Sequence, residues 1–171
     1  MKLEEAIKMA LEYEGRVHAL YIDAVKSASD DAGRKVFQVM ANEEKGHIEY
    51  LKSCLDQWQK DGHITAEELK TVIPSKEEIE DELDKLEDTM EPRRDKYNEE
   101  LDKLRKALAV ELETSAFYQK MVDEVEPDGQ ALFRRFMEIE QGHVAIVEAE
   151  IDSVSGYGYW FGQAEFNLEN R

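Results

Sequence analysis

Residues 33–51 read GRKVFQVMANEEKGHIEYL, and residues 129–147 read GQALFRRFMEIEQGHVAIV. At a shift of 96, Gly33, Phe37, Glu44, Gly46 and His47 recur as Gly129, Phe133, Glu140, Gly142 and His143. Each stretch carries one stripe with steps of three and four. The first runs Phe37, Met40, Glu44, His47, Leu51, Leu55, Trp58, and the second Phe133, Phe136, Glu140, His143, Val147, Ile151. Such steps return to one face of an α-helix. Each Glu-x-x-His pair therefore sits on the inward face of its helix, Glu and His about one turn apart.

The segment before each stretch repeats too. Ala10, Leu11, Glu14, Ala19 and Tyr21 recur at a shift of 97 as Ala107, Leu108, Glu111, Ala116 and Tyr118. Their stripes are Leu3, Ile7, Ala10, Glu14, Val17, Tyr21, Val25 and Leu101, Leu104, Leu108, Glu111, Ser115, Tyr118, Val122. Asp30–Gly33, Asp61–Gly62, Glu126–Gly129 and Ser155–Gly156 punctuate the helices. Two copies of about 45 residues are too few and too long for a solenoid. The expected fold is all-α, a four-helix bundle with a long helical crossover between helices 2 and 3.

That crossover, residues 62–95, holds two capping boxes, Thr65–Glu68 and Ser75–Glu78. The first predicts a short helix stopping near Pro74. The second predicts a helix from about Lys76 to Thr89 with Ile79, Leu83 and Leu86 as its apolar stripe, and Glu91-Pro92 marks another start. The segment is too polar for a core of its own, so residues 1–155 are expected to be one domain. Residues 156–171 form an aromatic tail with Tyr157, Tyr159, Trp160, Phe161 and Phe166. Its rings are expected to pack on this bundle or on a partner subunit. A homodimer is the expectation, because uncovered they make a large apolar patch.

Composition bounds the function. A chain of 171 residues is one ordinary domain. A net charge of −18 repels phosphate backbones, so no nucleic-acid partner is expected. The single cysteine, Cys54, is read as a core filler, and it excludes a disulfide framework or a four-thiolate zinc or iron site. No apolar run reaches membrane-span length. The acidic start, Met1-Lys2-Leu3-Glu4-Glu5, argues against a secretory signal. A cytoplasmic protein without a membrane partner is expected.

The chemistry lies on the stripes. Glu14, Glu44, His47, Glu111, Glu140 and His143 all face inward, with no Lys or Arg on those stripes beside them. Four carboxylates in one interior cannot stay ionised and unpaired: desolvation and mutual repulsion both oppose it. Two divalent cations would balance them, with the imidazoles as neutral ligands, in the arrangement of dinuclear carboxylate sites in helix bundles. Tyr21 and Tyr118 are buried phenols whose nearest acceptor is a ligand carboxylate, unless they are plain core residues. His18, one turn after Glu14, reads as a partly buried histidine off the stripe, with a further ligand or a proton donor as the alternative, and His63 as an exposed turn residue. Glu12, Glu43 and Glu113 neighbour the cluster but point elsewhere by helix phase. Iron is the expected metal, manganese next.

These residues resemble the ferritin-like superfamily, most closely its rubrerythrin group, over 14–25, 33–55, 107–122 and 129–151. The resemblance implies that the Glu-x6-Tyr pairs Glu14/Tyr21 and Glu111/Tyr118 supply a metal ligand and a tyrosine that hydrogen-bonds a ligand. It implies that Glu44/His47 and Glu140/His143 are the paired ligands of the second and fourth helices. Two departures stand out. There is no rubredoxin-like domain with its Cys pairs, so an external electron donor, such as a rubredoxin-like protein, is implied. The extra Glu usual one turn after the third-helix ligand is Thr114 here, with Val17 in the first repeat, which looks more like a bacterioferritin ferroxidase site. The function implied is a di-iron oxidoreductase reducing hydrogen peroxide or dioxygen. The alternatives are a ferroxidase or iron storage and delivery protein, and a metal-free helical interaction module.

Overall fold

The structure is a computed structural model and describes residues 1–87, 98–158 and 160–161. The described residues are all-helical, with no strand: α1 Leu3–Ser27, α2 Asp31–Asp61, α3 Lys76–Glu87, α4 Asn98–Glu124 and α5 Pro127–Tyr157. No helix among them is long and apolar enough to cross a membrane.

The expected punctuation stops and starts the helices. Asp30 caps α2 by accepting from the Gly33 N–H at 2.8 Å. Gly62 ends α2 at φ 70°, a left-handed conformation that costs glycine little. Ser75 and Glu78 form the reciprocal capping box at the start of α3: Ser75 N–H donates to Glu78 Oε2 at 2.8 Å, and Glu78 N–H to Ser75 Oγ at 3.2 Å. A buried carboxylate distant in sequence, Glu100 at the start of α4, holds the α1–α2 turn. It accepts from Ser29 N–H, Ser29 Oγ–H and Asp30 N–H.

The helix expected from Thr65 to Pro74 is absent; this stretch runs without regular structure. Its backbone groups find side-chain partners on the long helices instead. Gln57 accepts from Thr65 N–H, Glu43 accepts from Val72 N–H, and Arg135 donates to the Leu69 carbonyl. Those bonds replace the internal ladder that a helix would need. Helix α5 also runs past the expected break at Ser155–Gly156, to Tyr157, and Gly158 at φ 66° ends it. The expected start at Glu91-Pro92, the end of the crossover helix at Thr89, and Tyr159 and Phe166 lie outside the described residues.

Helix α1 packs most extensively on α2, and α4 on α5. Helix α1 also meets α4, and α3 meets α5. Two apolar clusters result. One contains Tyr21, Phe37, Met40, Leu104, Ile146, Trp160 and Phe161. The other contains Leu3, Ile7, Leu51, Tyr118, Phe133 and Phe136. Along every long helix the switch from one cluster to the other falls at the expected Glu or Glu-x-x-His. The polar cluster therefore lies between two dry layers.

Trp160 and Phe161 fold back onto this chain's own helices. The Phe161 N–H donates to buried Glu150 Oε2 at 2.9 Å, and the Trp160 ring meets Phe37 edge-on at 5.8 Å. A Cβ on Gly33 would stand 2.5 Å from the Trp160 ring, so glycine is what lets the ring seat there. These two rings add nothing to an exposed patch.

Candidate metal centre

Six side chains converge from the middles of four helices: Glu14 of α1, Glu44 and His47 of α2, Glu111 of α4, Glu140 and His143 of α5. None is more than 1% exposed. The two imidazoles stack, with centroids 5.1 Å apart and planes at 16°. Both turn Nδ1 toward the carboxylates. His47 Nδ1 lies 3.2 Å from Glu14 Oε2, 3.3 Å from Glu44 Oε2 and 3.4 Å from Glu140 Oε1. His143 Nδ1 lies 2.8 Å from Glu44 Oε1 and 3.9 Å from oxygens of Glu111 and Glu140. Donor atoms of Glu44, His47, Glu140 and His143 all lie within 4.8 Å of one another, so this buried group could hold a metal ion. Glu14 and Glu111 flank it from α1 and α4 through those same contacts.

The tyrosines cross between the repeats. Tyr21 of α1 donates to Glu111 Oε1 of α4 at 2.6 Å, and Tyr118 of α4 donates to Glu14 Oε1 of α1. Each phenol thus orients the carboxylate of the other half, not of its own helix. Burial, and then the adjacent carboxylates, push both phenols well above their ordinary pKa, so they remain donors.

The side chains alone are in electrostatic conflict. Burial, then the charges of Glu140 and Glu44, push the Glu14 carboxyl well above the usual range. Burial and Glu44 do the same to Glu111. Burial acts upward on Glu44 too, but the facing His143 and His47 outweigh it and hold Glu44 well below. Burial opposes protonation of the imidazoles, yet Glu14 and Glu44 raise His47 and Glu44 and Glu140 raise His143. Among the described residues, both oxygens of Glu44 and of Glu140, Glu111 Oε2 and His143 Nδ1 make no hydrogen bond. A buried group left without a partner costs about 1–3 kcal/mol, offset in part here by the close imidazole–carboxylate contacts. Oxygens and imidazole nitrogens aimed at one volume, without hydrogen bonds of their own, fit a first-row divalent cation.

Glu43 corrects the phase reading. It does not point away: its side chain is 9% exposed, and Oε2 lies 3.4 Å from His143 Nε2 and 3.9 Å from His47 Nε2. The crossover holds it, Thr71 Oγ–H donating to Oε2 and Val72 N–H to Oε1 at 3.0 Å. Burial raises its pKa, but His143, Thr71 and Val72 together bring it below the ordinary value. Helix phase placed Glu43 at the edge of α2. It could not show that residues 71–72 would cover that edge. The position was readable only as the residue before Glu44.

The other neighbours lie where their phases put them. Glu12 is exposed, and exposed Glu113 pairs with Arg16 at 3.6 Å. His18 is half-buried, and exposed His63 turns Nδ1 to the Asp61 carbonyl at 2.9 Å. Cys54 is buried, and burial raises its thiol. Thr114 and Val17 are both buried, and the Thr114 hydroxyl donates to the Val110 carbonyl at 2.9 Å. On α4 the inward residues are Ala107, Thr114 and Met121, while Leu108, Ser115 and Val122 of the expected stripe are half-buried. No family model, curated protein or solved structure matches the chain.

Proposed function

We propose that this chain is a ferritin-like four-helix bundle whose six-residue cluster holds two iron ions and reduces hydrogen peroxide or dioxygen. The observation that carries this reading is the conjunction of burial and unmet hydrogen bonding. Four carboxylates and two imidazoles occupy a buried interior, and both oxygens of Glu44 and of Glu140, with Glu111 Oε2 and His143 Nδ1, lack a well-formed hydrogen bond there. A structural polar core satisfies its members. This one is short of positive charge, and two divalent cations supply it.

Glu14, Glu44, Glu111, Glu140, His47 and His143 would hold the metal, Glu44 and Glu140 each lying near both imidazoles. Iron, when bound, would supply two electrons to the oxidant; manganese suits the same donors. The chain's own part is to orient and to exclude water. Tyr21 and Tyr118 fix the Glu111 and Glu14 carboxylates and keep two neutral O–H donors beside the site. Glu43 sets which imidazole nitrogen faces inward. The aromatic layers on either side keep bulk water out. Buried Cys54 is the single thiol of these 171 residues, so they hold no thiol pair to relay electrons, and electrons for repeated turnover would come from outside this bundle.

A second reading, ferroxidation for storage or delivery of iron, is favoured by Thr114 and Val17. Neither supplies a fifth carboxylate, and a four-Glu, two-His set suits ferroxidase chemistry. Anaerobic loading with ferrous iron, then stopped-flow mixing with peroxide and with oxygen, separates the two. About two irons per chain and faster reoxidation by peroxide support the first reading; faster oxygen consumption supports the second. Reoxidation no faster than that of free ferrous ion removes both.

A further inference from the structure

The two repeat-equivalent glycines of the Glu-x-Gly-His pairs face opposite surroundings. A Cβ on Gly142 would stand 3.0 Å from the Pro74 carbonyl oxygen, because the crossover lies directly on α5 there. A Cβ on Gly46 would meet nothing within 4 Å. Over Gly46 lies a cleft of about 520 Å³ between α2 and residues 66–70, lined by Glu43, His47, Tyr50, Glu67, Glu68 and Lys70 among others. Two further clefts, of about 370 Å³ beside Gly142 and about 410 Å³ beside Leu112, are lined by none of the six cluster residues.

We propose that the cleft over Gly46 is the route by which divalent cations reach the carboxylate–imidazole cluster. The inference rests on the metal-centre reading and adds the route to it. His47 belongs both to the cluster and to the cleft lining. Its Nδ1 faces the carboxylates, and its Nε2 is buried without a hydrogen bond. Glu43 stands beside it at the inner end, its carboxylate between the cleft and the two imidazoles. Glu43, Glu67 and Glu68 outnumber Lys70 along the lining, and a cleft lined mostly by one sign of charge concentrates the opposite ion. The crossover lies on the equivalent face beside His143, so it is His47 of the otherwise two-fold site that borders a cleft. Passage needs the His47 and Glu43 side chains to rotate aside, and the space left by the absent Gly46 side chain is where they can turn.

The test is the rate at which the metal-free full chain takes up cobalt(II), followed by its visible absorption in a stopped-flow instrument. The variant Gly46→Leu puts a side chain into the cleft, and its Cβ meets nothing within 4 Å. It also replaces a helical glycine by a better helix former, so it folds. Its uptake is expected to slow by about tenfold, about 1.4 kcal/mol on the barrier, with the wild-type stoichiometry and final spectrum. The variant Ser53→Trp closes the same cleft from another lining position and is expected to slow uptake likewise. The variant Ser115→Leu, in the cleft beside Leu112, is expected to keep the wild-type rate. Wild-type uptake is also expected to slow between about 0.01 and 0.15 M salt, as the Debye length shrinks from about 30 to about 8 Å. Wild-type rates in both Gly46→Leu and Ser53→Trp overturn the route and leave the metal centre standing. A wild-type chain that takes up no cobalt overturns both.

Discussion

Glu43 offers the sharpest separation between a group that tunes the site and a carboxylate that merely lies near it. Its Oε2 faces both imidazoles, while its oxygens accept from Thr71 and Val72. Glu43→Gln keeps an oxygen for the crossover but removes the charge. With Nδ1 turned inward, His143 Nε2–H donates outward. A charged acceptor there is worth about 1–1.5 kcal/mol more than a neutral one. That difference is about tenfold in metal affinity, at the low end of the 10–100-fold typical of groups that orient ligands from behind. Glu43→Ala removes the crossover anchor as well. Two hydrogen bonds to a partly buried carboxylate amount to about 3 kcal/mol, or roughly 6–12 °C in Tm for a chain of this size. Competition titration of cobalt(II) against a chromophoric chelator reads the affinity, and calorimetry of the metal-free protein reads the stability. The reasoning is refuted if Glu43→Gln binds cobalt as the wild type does and Glu43→Ala melts together with Glu43→Gln.

Three further outcomes follow from the same geometry. Gly46→Ala is expected to raise Tm slightly, since it adds a helix former in open space worth about 1 kcal/mol, whereas Gly142→Ala meets the Pro74 carbonyl at 3.0 Å and is expected to lower it; equal shifts in thermal melts would contradict this placement of the crossover. Stability of the metal-free protein is expected to fall as pH rises above 6.5, because the raised imidazoles of His47 and His143 contribute fully below that value and lose their contribution as pH passes their folded pKa. The raised carboxyls of Glu14 and Glu111 act with the same sign from 4.5 upward, while the lowered Glu44 contributes above 4.5 and is lost only as pH falls through its folded pKa. Denaturant melts that strengthen from pH 6.5 to 8.5 count against that sign. Metal loading displaces those protons, so cobalt affinity is expected to rise with pH while a lightly buffered indicator solution acidifies on binding; pH-independent affinity would mean the protonated groups are not the ligands.

The sequence reads well where a residue's environment is set by its own helix. The Glu-x-x-His pairs and the Glu-x6-Tyr pairs all turn inward, because a buried stripe has one phase and the repeat states it twice. Legibility ends where environment is set by a distant segment. Residues 65–74 look helical by their capping box, yet Gln57, Glu43 and Arg135 satisfy their backbone from other elements. Glu100 looks like one more surface acid at a helix start, yet it holds a turn 70 residues earlier. On α4 the expected stripe took steps of four to Leu108, Ser115 and Val122, where the buried residues lie at steps of three, Ala107, Thr114 and Met121. The choice between the bundle and a partner for Trp160 and Phe161 depended on Gly33 and Glu150, residues that no local pattern links to the tail.

The repeat builds a site that is two-fold in its six central side chains, and the crossover then breaks the symmetry. Position 43 is Glu in the first half, and its equivalent in the second is Ile139, buried in the apolar cluster beside Phe136. One carboxylate therefore serves both imidazoles, and the crossover that exists only once in the chain is what holds it. The same segment lies on Gly142 and leaves Gly46 open. The two metal positions proposed for this cluster would thus differ in solvent approach and in what stands behind their histidines. On that proposal, a difference between the two positions in order of loading or in affinity would be set by residues 66–75 and Glu43. Exchanging Glu43 and Ile139 between the halves would remove the carboxylate from its crossover anchors, so it would abolish the difference behind the histidines without moving it to the other side, and would leave the difference at Gly46 and Gly142 in place.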